Sequence, residues 1–414
     1  MIRRLGGLTA RLLVALAVFL VAGEVLARAL DVVDRLNGYQ RILYTRGPSL
    51  DLPYRLRPGV EITLLGAPVR VNRLGFRGPE ITPAPAPGVH RVLVLGDSVV
   101  FGQGLEEEET VSGVLAVRLN AGGAGRYEVI NAGVPGYDAV AEARLLETVG
   151  LAVRPEIVVV GTSLNDYDVA PMYSPTGVLM NKALDQRAGT LADRSEFLAL
   201  LRWLYASWRG QLWNQLMARL GPPGPPPPPQ TGLQRLVQEM HLGFYHAPVP
   251  AYWDRLRGAY ADLGRIAERH RLSLLVAIFP ERYQVGVAEP DLTPQQRLLG
   301  ACREAGLRCL DLQPAFAAAG GELFADAQHP NARGHMVAAE AIAEALLSSG
   351  PPRAEHAVGP ASGGEQTAAQ LLEPGEDRHA DARAAERRPA EAVVKDQPAE
   401  RQGLRHRELD GRER

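Results

Sequence analysis

Two short blocks, far apart in the chain, carry the side-chain types of a nucleophile and its base. The first, Gly96-Asp97-Ser98-Val99-Val100-Phe101-Gly102, places a hydroxyl directly after an apolar run. A serine at the carboxyl end of a buried parallel strand stands where α/β sheets collect their ligands, and a glycine before it lets the backbone bend. The same residues also suit a plain turn in which Asp97 or Ser98 caps the following helix. The second block, Asp326-Ala327-Gln328-His329-Pro330-Asn331, sets a carboxylate shortly before an imidazole. A serine nucleophile needs a base, and that base needs a partner on its other nitrogen to fix the tautomer and stabilise the imidazolium. A loop aspartate at this spacing can supply it. An isolated motif of this kind is equally a loop histidine beside an aspartate turn. His335 is not spaced from His329 like a metal-ligand pair and reads as a helix-face residue.

Two further stretches offer hydrogen-bond donors. Gly133 lies in Asn131-Ala132-Gly133-Val134-Pro135-Gly136, and Asn165 lies in Gly161-Thr162-Ser163-Leu164-Asn165-Asp166. The N–H of Gly133, the N–H of Ser98 and the side-chain amide of Asn165 could converge on one developing oxyanion. Each taken alone is turn chemistry.

These blocks need a scaffold, and the apolar pattern describes one. Residues 90–95, 127–131, 156–161, 272–279 and 307–312 read as short buried strands alternating with amphipathic helical segments. Ala139, Val140, Ala143, Leu146 and Val149 carry the helical period between the second and third strands, and Met336 to Leu347 form the last helix. Such alternation predicts a parallel sheet covered on both faces. An insertion spans about residues 167–250. It holds an amphipathic helix from Ser195 to Leu220 and a proline-rich linker over 221–230, and reads either as a lid or as a surface excursion. Residues 349–414 are rich in Ala, Glu and Arg, and from Pro351 onward hold no Phe, Trp or Tyr, which predicts a disordered tail or one carrying a partner-binding helix.

In these four blocks the chain resembles the SGNH (GDSL-like) hydrolase superfamily, over about residues 90–348. The resemblance implies a flavodoxin-like three-layer α/β/α sandwich with a five-stranded parallel sheet. It makes Ser98 the nucleophile, His329 the base and Asp326 its orienter, with Ser98, Gly133 and Asn165 as the oxyanion hole. Two blocks depart from the family pattern: Val100 stands where a small hydroxyl residue is usual, and where Gly-x-Asn-Asp is usual, Ser163 and Leu164 precede Asn165 and the glycine, Gly161, lies further back. The segment from Asn72 to Glu80, NRLGFRGPE, looks like the lead-in of membrane-anchored bacterial members.

Composition narrows what such a chain does. Of 414 residues, 46% are hydrophobic and 22% charged, which suits a globular core. The formal net charge is −2 and no basic block could track a phosphate backbone, so nucleic acid is not expected as a partner. Cys302 and Cys309 are the two cysteines, so no zinc cluster and no cofactor is expected; the pair either forms a single bridge in an oxidising compartment or stays as two buried thiols. Arg3, Arg4 and Arg11 border an apolar stretch from Leu12 to Gly23, the pattern of an export signal. Counted from Leu5 to Leu26, it is long enough for an inner-membrane anchor that leaves the rest of the chain on the periplasmic side; cleavage and secretion is the alternative.

The expected partners are therefore the inner membrane, through residues 1–30, and an ester-bearing glycan or lipid substrate, reached by the 90–348 domain through the 31–89 lead-in. The expected activity is hydrolysis of acyl or acetyl esters. The alternatives are O-acyl transfer to a polysaccharide, with Trp203, Trp208 and Trp213 shaping an acceptor cleft, and a tethered glycan-binding protein without turnover.

Overall fold

The computed structural model describes residues 2–30, 40–121, 123, 125–168, 195, 197–198, 200–201 and 232–348. Its centre is one parallel sheet of five strands: β5 (Val89–Gly96), β6 (Arg126–Gly133), β7 (Ile157–Thr162), β8 (Ser273–Ile278) and β9 (Arg308–Asp311), in the order β6-β5-β7-β8-β9. The chain steps outward from β5 to β6, then returns past β5 to β7. The strand order therefore reverses beside β5, and the crevice at that reversal is where open α/β sheets bind ligands.

Strand periodicity explains the layers. Leu93 and Leu95, Val158 and Val160, and Leu274, Val276 and Ile278 enter one core, while Val92 and Val94, Ile157 and Val159, and Leu275 and Ala277 enter the other. Both faces are thus apolar, as a sheet with helices on each side requires. The first core is covered by α4 (Ala139–Thr148), through Ala141, Leu145 and Leu146, and by α6 (Pro250–His270), through Leu256, Tyr260 and Leu263. The second is covered by α3 (Val111–Ala121), through Leu115 and Leu119, and by α9 (Ala332–Leu347), through Ala338, Ala339 and Ile342. The other helices include α1 (Ile2–Ala29), α2 (Ser98–Phe101), α5 (Gly232–His246), α7 (Thr293–Glu304) and α8 (Gln313–Ala319), and a single helical turn lies at Gln40–Leu43.

The lead-in is built into the domain. Two antiparallel hairpins, β1 (Tyr44–Arg46) with β2 (Tyr54–Leu56) and β3 (Glu61–Leu64) with β4 (Ala67–Arg70), precede the sheet. Their Tyr44, Tyr54, Leu64 and Val69 share the core of Leu93 and Leu95. The Tyr54 hydroxyl donates to Pro135 O at 2.8 Å, and the Tyr137 hydroxyl donates to Tyr54 O. At three or four residues each, these strands are too short for their alternation to stand out in the sequence, which gives no strand signal here.

Cys302, on α7, is bridged to Cys309, on β9, at a Cα separation of 6.4 Å. That distance lies inside the range a disulfide spans, and it resolves the open choice in favour of the bridge. The helical amino end runs from Ile2 to Ala29, and Glu24 on it accepts hydrogen bonds from Ser195 Oγ at 2.7 Å and Phe197 N at 3.1 Å. Among the described residues no helix is long and apolar enough to cross a membrane, so the anchor gains no support here. Part of the expected span, the side chains of residues 5–10, lies outside the described residues. So do the proline-rich linker, Trp203, Trp208 and Trp213, most of the 195–220 helix and the tail from residue 349.

Candidate active site

Three glycines stand in register near the strand ends: Gly96 and Gly133, the last residues of β5 and β6, pair with each other, and Gly161, one residue before the end of β7, pairs with Gly96 on the other side. A Cβ on Gly96 or Gly161 would meet Val100 Cγ2 at 2.3 or 2.4 Å, and one on Gly133 would meet Phe101 N at 2.3 Å. The glycines thus form a groove in which α2 lies against the sheet edge, and Val100 fills it. This packing accounts for both departures from the family pattern. A branched side chain at 100 needs the groove, and Gly161 belongs to the groove's floor instead of the Asn165 turn.

Asp97 caps α2, its Oδ1 accepting from Val99 N at 2.8 Å, so the capping alternative holds and leaves Ser98 free for another role. The same oxygen accepts from Ser163 Oγ at 2.8 Å, and Ser163 N donates to Asp166 Oδ2 at 3.0 Å. Asp97 therefore ties the serine turn to the Asn165 turn. Arg77, from the lead-in motif, holds the other end of α2: its Nη1 donates to Phe101 O at 2.6 Å and Gly102 O at 2.7 Å, and its Nη2 to Leu105 O. Its guanidinium carbon lies 4.8 Å from the Phe101 ring centroid. Burial pulls the Arg77 pKa down to about 10, against the upward pull of Glu107 and Glu108, and leaves it cationic at neutral pH.

Ser98 Oγ lies 2.8 Å from His329 Nε2, and His329 Nδ1 lies 2.7 Å from Asp326 Oδ2. The second Asp326 oxygen accepts from the N–H groups of Gln328 and His329, both at 2.8 Å, so the carboxylate is pinned on its own loop. Burial would raise the Asp326 pKa, but the His329 bond and charge and these amides outweigh it and bring it down to about 2. Burial likewise pulls the His329 pKa down, but the bond to Asp326, its charge, and the charges of Asp97 and Glu281 leave it raised. An imidazole held this way can accept the Ser98 proton and hold it as imidazolium.

A cleft is lined by Asp97, Ser98, Ser163, Asn165, Glu281 and His329, among others. Asn165 thus shares the cleft with the serine. Gly133 does not: it is buried, and its N–H donates to Asn131 Oδ1 at 3.0 Å, so it is no available oxyanion donor. The correction has a local cause. Gly133 is still within β6, and its glycine character serves the close approach of α2. The next glycine, Gly136, is partly exposed at φ +83° in the Val134–Tyr137 turn, closed by Tyr137 N donating to Val134 O at 3.1 Å. His335 is a buried structural residue, as its helix-face reading implied. Among the described residues, no group of His, Cys, Asp and Glu side chains could hold a metal ion.

A serine paired with a histidine at the carboxyl edge of a five-stranded parallel sheet defines an SGNH-type serine hydrolase acting on esters. The model of the GDSL-like lipase/acylhydrolase family matches residues 94–337, more than half of the chain, and the chain belongs to that family. A search of curated proteins found no match. Similar solved structures include a putative lipolytic protein of the G-D-S-L family from Desulfitobacterium hafniense DCB-2, 13% identical over 62% of this chain and 99% of that one, at a TM-score of 0.35. The lipase/acylhydrolase from Enterococcus faecalis is 14% identical over 64% and 98% of the two chains, at a TM-score of 0.36. The acetyl xylan esterase AlAXEase is 16% identical over 62% and 100%, at a TM-score of 0.35.

Proposed function

We propose that this chain is an extracytoplasmic esterase that removes acyl or acetyl groups through an acyl-enzyme on Ser98. The observation that carries the reading is the continuous chain from Ser98 Oγ to His329 Nε2 at 2.8 Å and from His329 Nδ1 to Asp326 Oδ2 at 2.7 Å. Ser98 Oγ attacks the ester carbonyl while its proton passes to Nε2. The tetrahedral oxyanion is met by the Ser98 N–H, the Asn165 side-chain amide and, in place of Gly133, the Gly136 N–H. The C–O bond then breaks and the alcohol leaves with the His329 proton. Water attacks the acyl-enzyme, gives a proton to His329, and the acid departs with Ser98 restored.

Export is supported by the basic-then-apolar amino end and by the Cys302–Cys309 bridge, which suits an oxidising compartment. The test is hydrolysis of 4-nitrophenyl acetate together with labelling by a fluorophosphonate. Wild type is expected to turn over the ester and to be labelled on Ser98, and Ser98→Ala to lose both. Unchanged turnover in that variant would overturn the proposal. Adding a polysaccharide acceptor and weighing the products separates hydrolysis, which yields free acid, from transfer, which yields an acylated sugar.

A further inference from the structure

One carboxylate in the cleft has no part in the Ser98–His329–Asp326 chain. Glu281 follows β8 by a short loop and lines the cleft with Phe279, Pro280 and Gln328. It is 4% exposed, and its Oε1 lies 2.6 Å from Nδ1 of His241, a buried imidazole on α5. Gln328 Nε2 stands 3.4 Å from His241 Nε2, and Arg282 N donates to Ala327 O at 3.0 Å, which ties the Glu281 loop to the block that carries His329. The carboxylate is therefore held in one orientation from behind. Its other oxygen, Oε2, is buried and has no hydrogen-bond partner among the described residues.

A buried carboxylate oxygen left without a donor is costly, and a bound molecule can remove that cost only by bringing a donor. An alkyl chain or an aromatic ring pressed against Oε2 would supply none. An anionic group would meet the carboxylates of Asp97, Glu281 and Asp326. An uncharged hydroxyl meets the requirement. Resting on the esterase reading of this cleft, we propose that Glu281 Oε2 accepts a hydrogen bond from a hydroxyl on the alcohol half of the ester. The preferred substrate would then be the ester of a sugar or other polyol, not that of a simple lipid alcohol. A site built to bond a substrate hydroxyl discriminates strongly against the analogue lacking it, because its own buried acceptor is then left unpaired.

The experiment compares kcat/KM of the full chain on an acetylated methyl glycoside, on the matching deoxy glycoside lacking the hydroxyl next to the ester, and on 4-nitrophenyl acetate. Wild type is expected to favour the hydroxylated glycoside over its deoxy partner by about 10- to 100-fold, the range of a charge-assisted hydrogen bond. Glu281→Gln is expected to shrink that preference to about threefold or less, while 4-nitrophenyl acetate turnover records the fall common to all substrates that loss of the Glu281 charge causes at His329. Equal rates on the two glycosides in wild type would overturn the proposal. So would an undiminished preference between the two glycosides in a folded Glu281→Gln variant. The wild-type comparison decides alone if the variant does not fold. Absence of both 4-nitrophenyl acetate turnover and fluorophosphonate labelling in wild type would instead overturn the esterase reading beneath it.

Discussion

His329 and His335 stand on either side of the first turn of α9, yet their surroundings push them in opposite directions. His329 Nδ1 faces the Asp326 carboxylate, which favours the proton, and its pKa is raised despite burial. His335 is buried, and its Nδ1 accepts the N–H of Val111 at 2.9 Å, serving as the cap acceptor at the start of α3. Burial lowers its pKa to about 3, with the positive charges of Arg77 and His329 adding to the effect. A carboxylate neighbour makes an imidazole a base; an amide donor and a dry site make it a fixed neutral acceptor. The linkage signs are opposite too. His329 contributes stability that is present below the unfolded pKa and lost as pH rises through its raised folded value. His335 contributes stability that is present above the unfolded pKa and lost as pH falls toward about 3.

The largest break in this contrast is expected from Asp326→Asn. An asparagine can still accept the Gln328 and His329 amides through its oxygen, but it then turns an NH₂ toward His329 Nδ1. That selects the wrong tautomer, with Nε2 protonated and unable to take the Ser98 proton. A fall of about 10³- to 10⁴-fold in kcat is expected, by analogy with other triads. The wild-type kcat/KM profile should fall toward acid with a midpoint above the ordinary histidine value, because neutral His329 is the active form. In the variant that midpoint should drop, since the groups that raise the His329 pKa are chiefly those of Asp326. An unmoved midpoint, read from rate against pH, would detach Asp326 from the base.

His335→Leu tests the other half. It removes the acceptor from the Val111 N–H inside a closed core, which costs about 1–3 kcal/mol. Expected is a lower Tm with 4-nitrophenyl acetate kcat little changed, and partial recovery of Tm in His335→Asn, whose short amide oxygen can replace Nδ1. A large loss of kcat at unchanged Tm would mean that the two histidines are not separable in role.

Much of this was legible in the residues. The five strands stand within a few residues of where their apolar runs placed them, because a strand buried on both faces leaves a continuous signal. Ser98, Asp326, His329 and Asn165 stand out in the sequence because each sits next to an element whose end the pattern marks and because the four blocks together resemble one family; the structure brings Ser98, Asn165 and His329 to one cleft. What escaped depends on register across the sheet. Gly133 was singled out for its amide, yet its strand position shows a glycine needed for packing, and only the pairing with Gly96 reveals that. Asp97–Ser163 and Glu281–His241 are contacts between distant segments, with no local spacing to announce them. Arg77 lay in a motif noticed without a role, since its acceptors are backbone carbonyls that no sequence pattern displays.

The carboxylates repeat the histidine contrast on a smaller scale. Asp326 has donors on both oxygens and is held at about 2. Glu142, on α4, is buried with no hydrogen-bond partner on either oxygen among the described residues. Burial pushes its pKa well up, and the nearby charges of Asp166, Asp97 and Asp138 push it further in the same direction. A carboxyl raised in the folded state stays neutral there while the unfolded chain ionises. Its contribution to stability is therefore intact below the unfolded pKa and declines as pH rises toward the folded one. Glu142→Gln keeps the shape and abolishes the titration, so the variant is expected to gain Tm over wild type at pH 7, by about 2–4 °C for each kcal/mol recovered, and to gain little at pH 4. A Tm difference that is flat between the two pH values would show that Glu142 finds a partner when ionised, and that its resemblance to Asp326 is closer than burial implies.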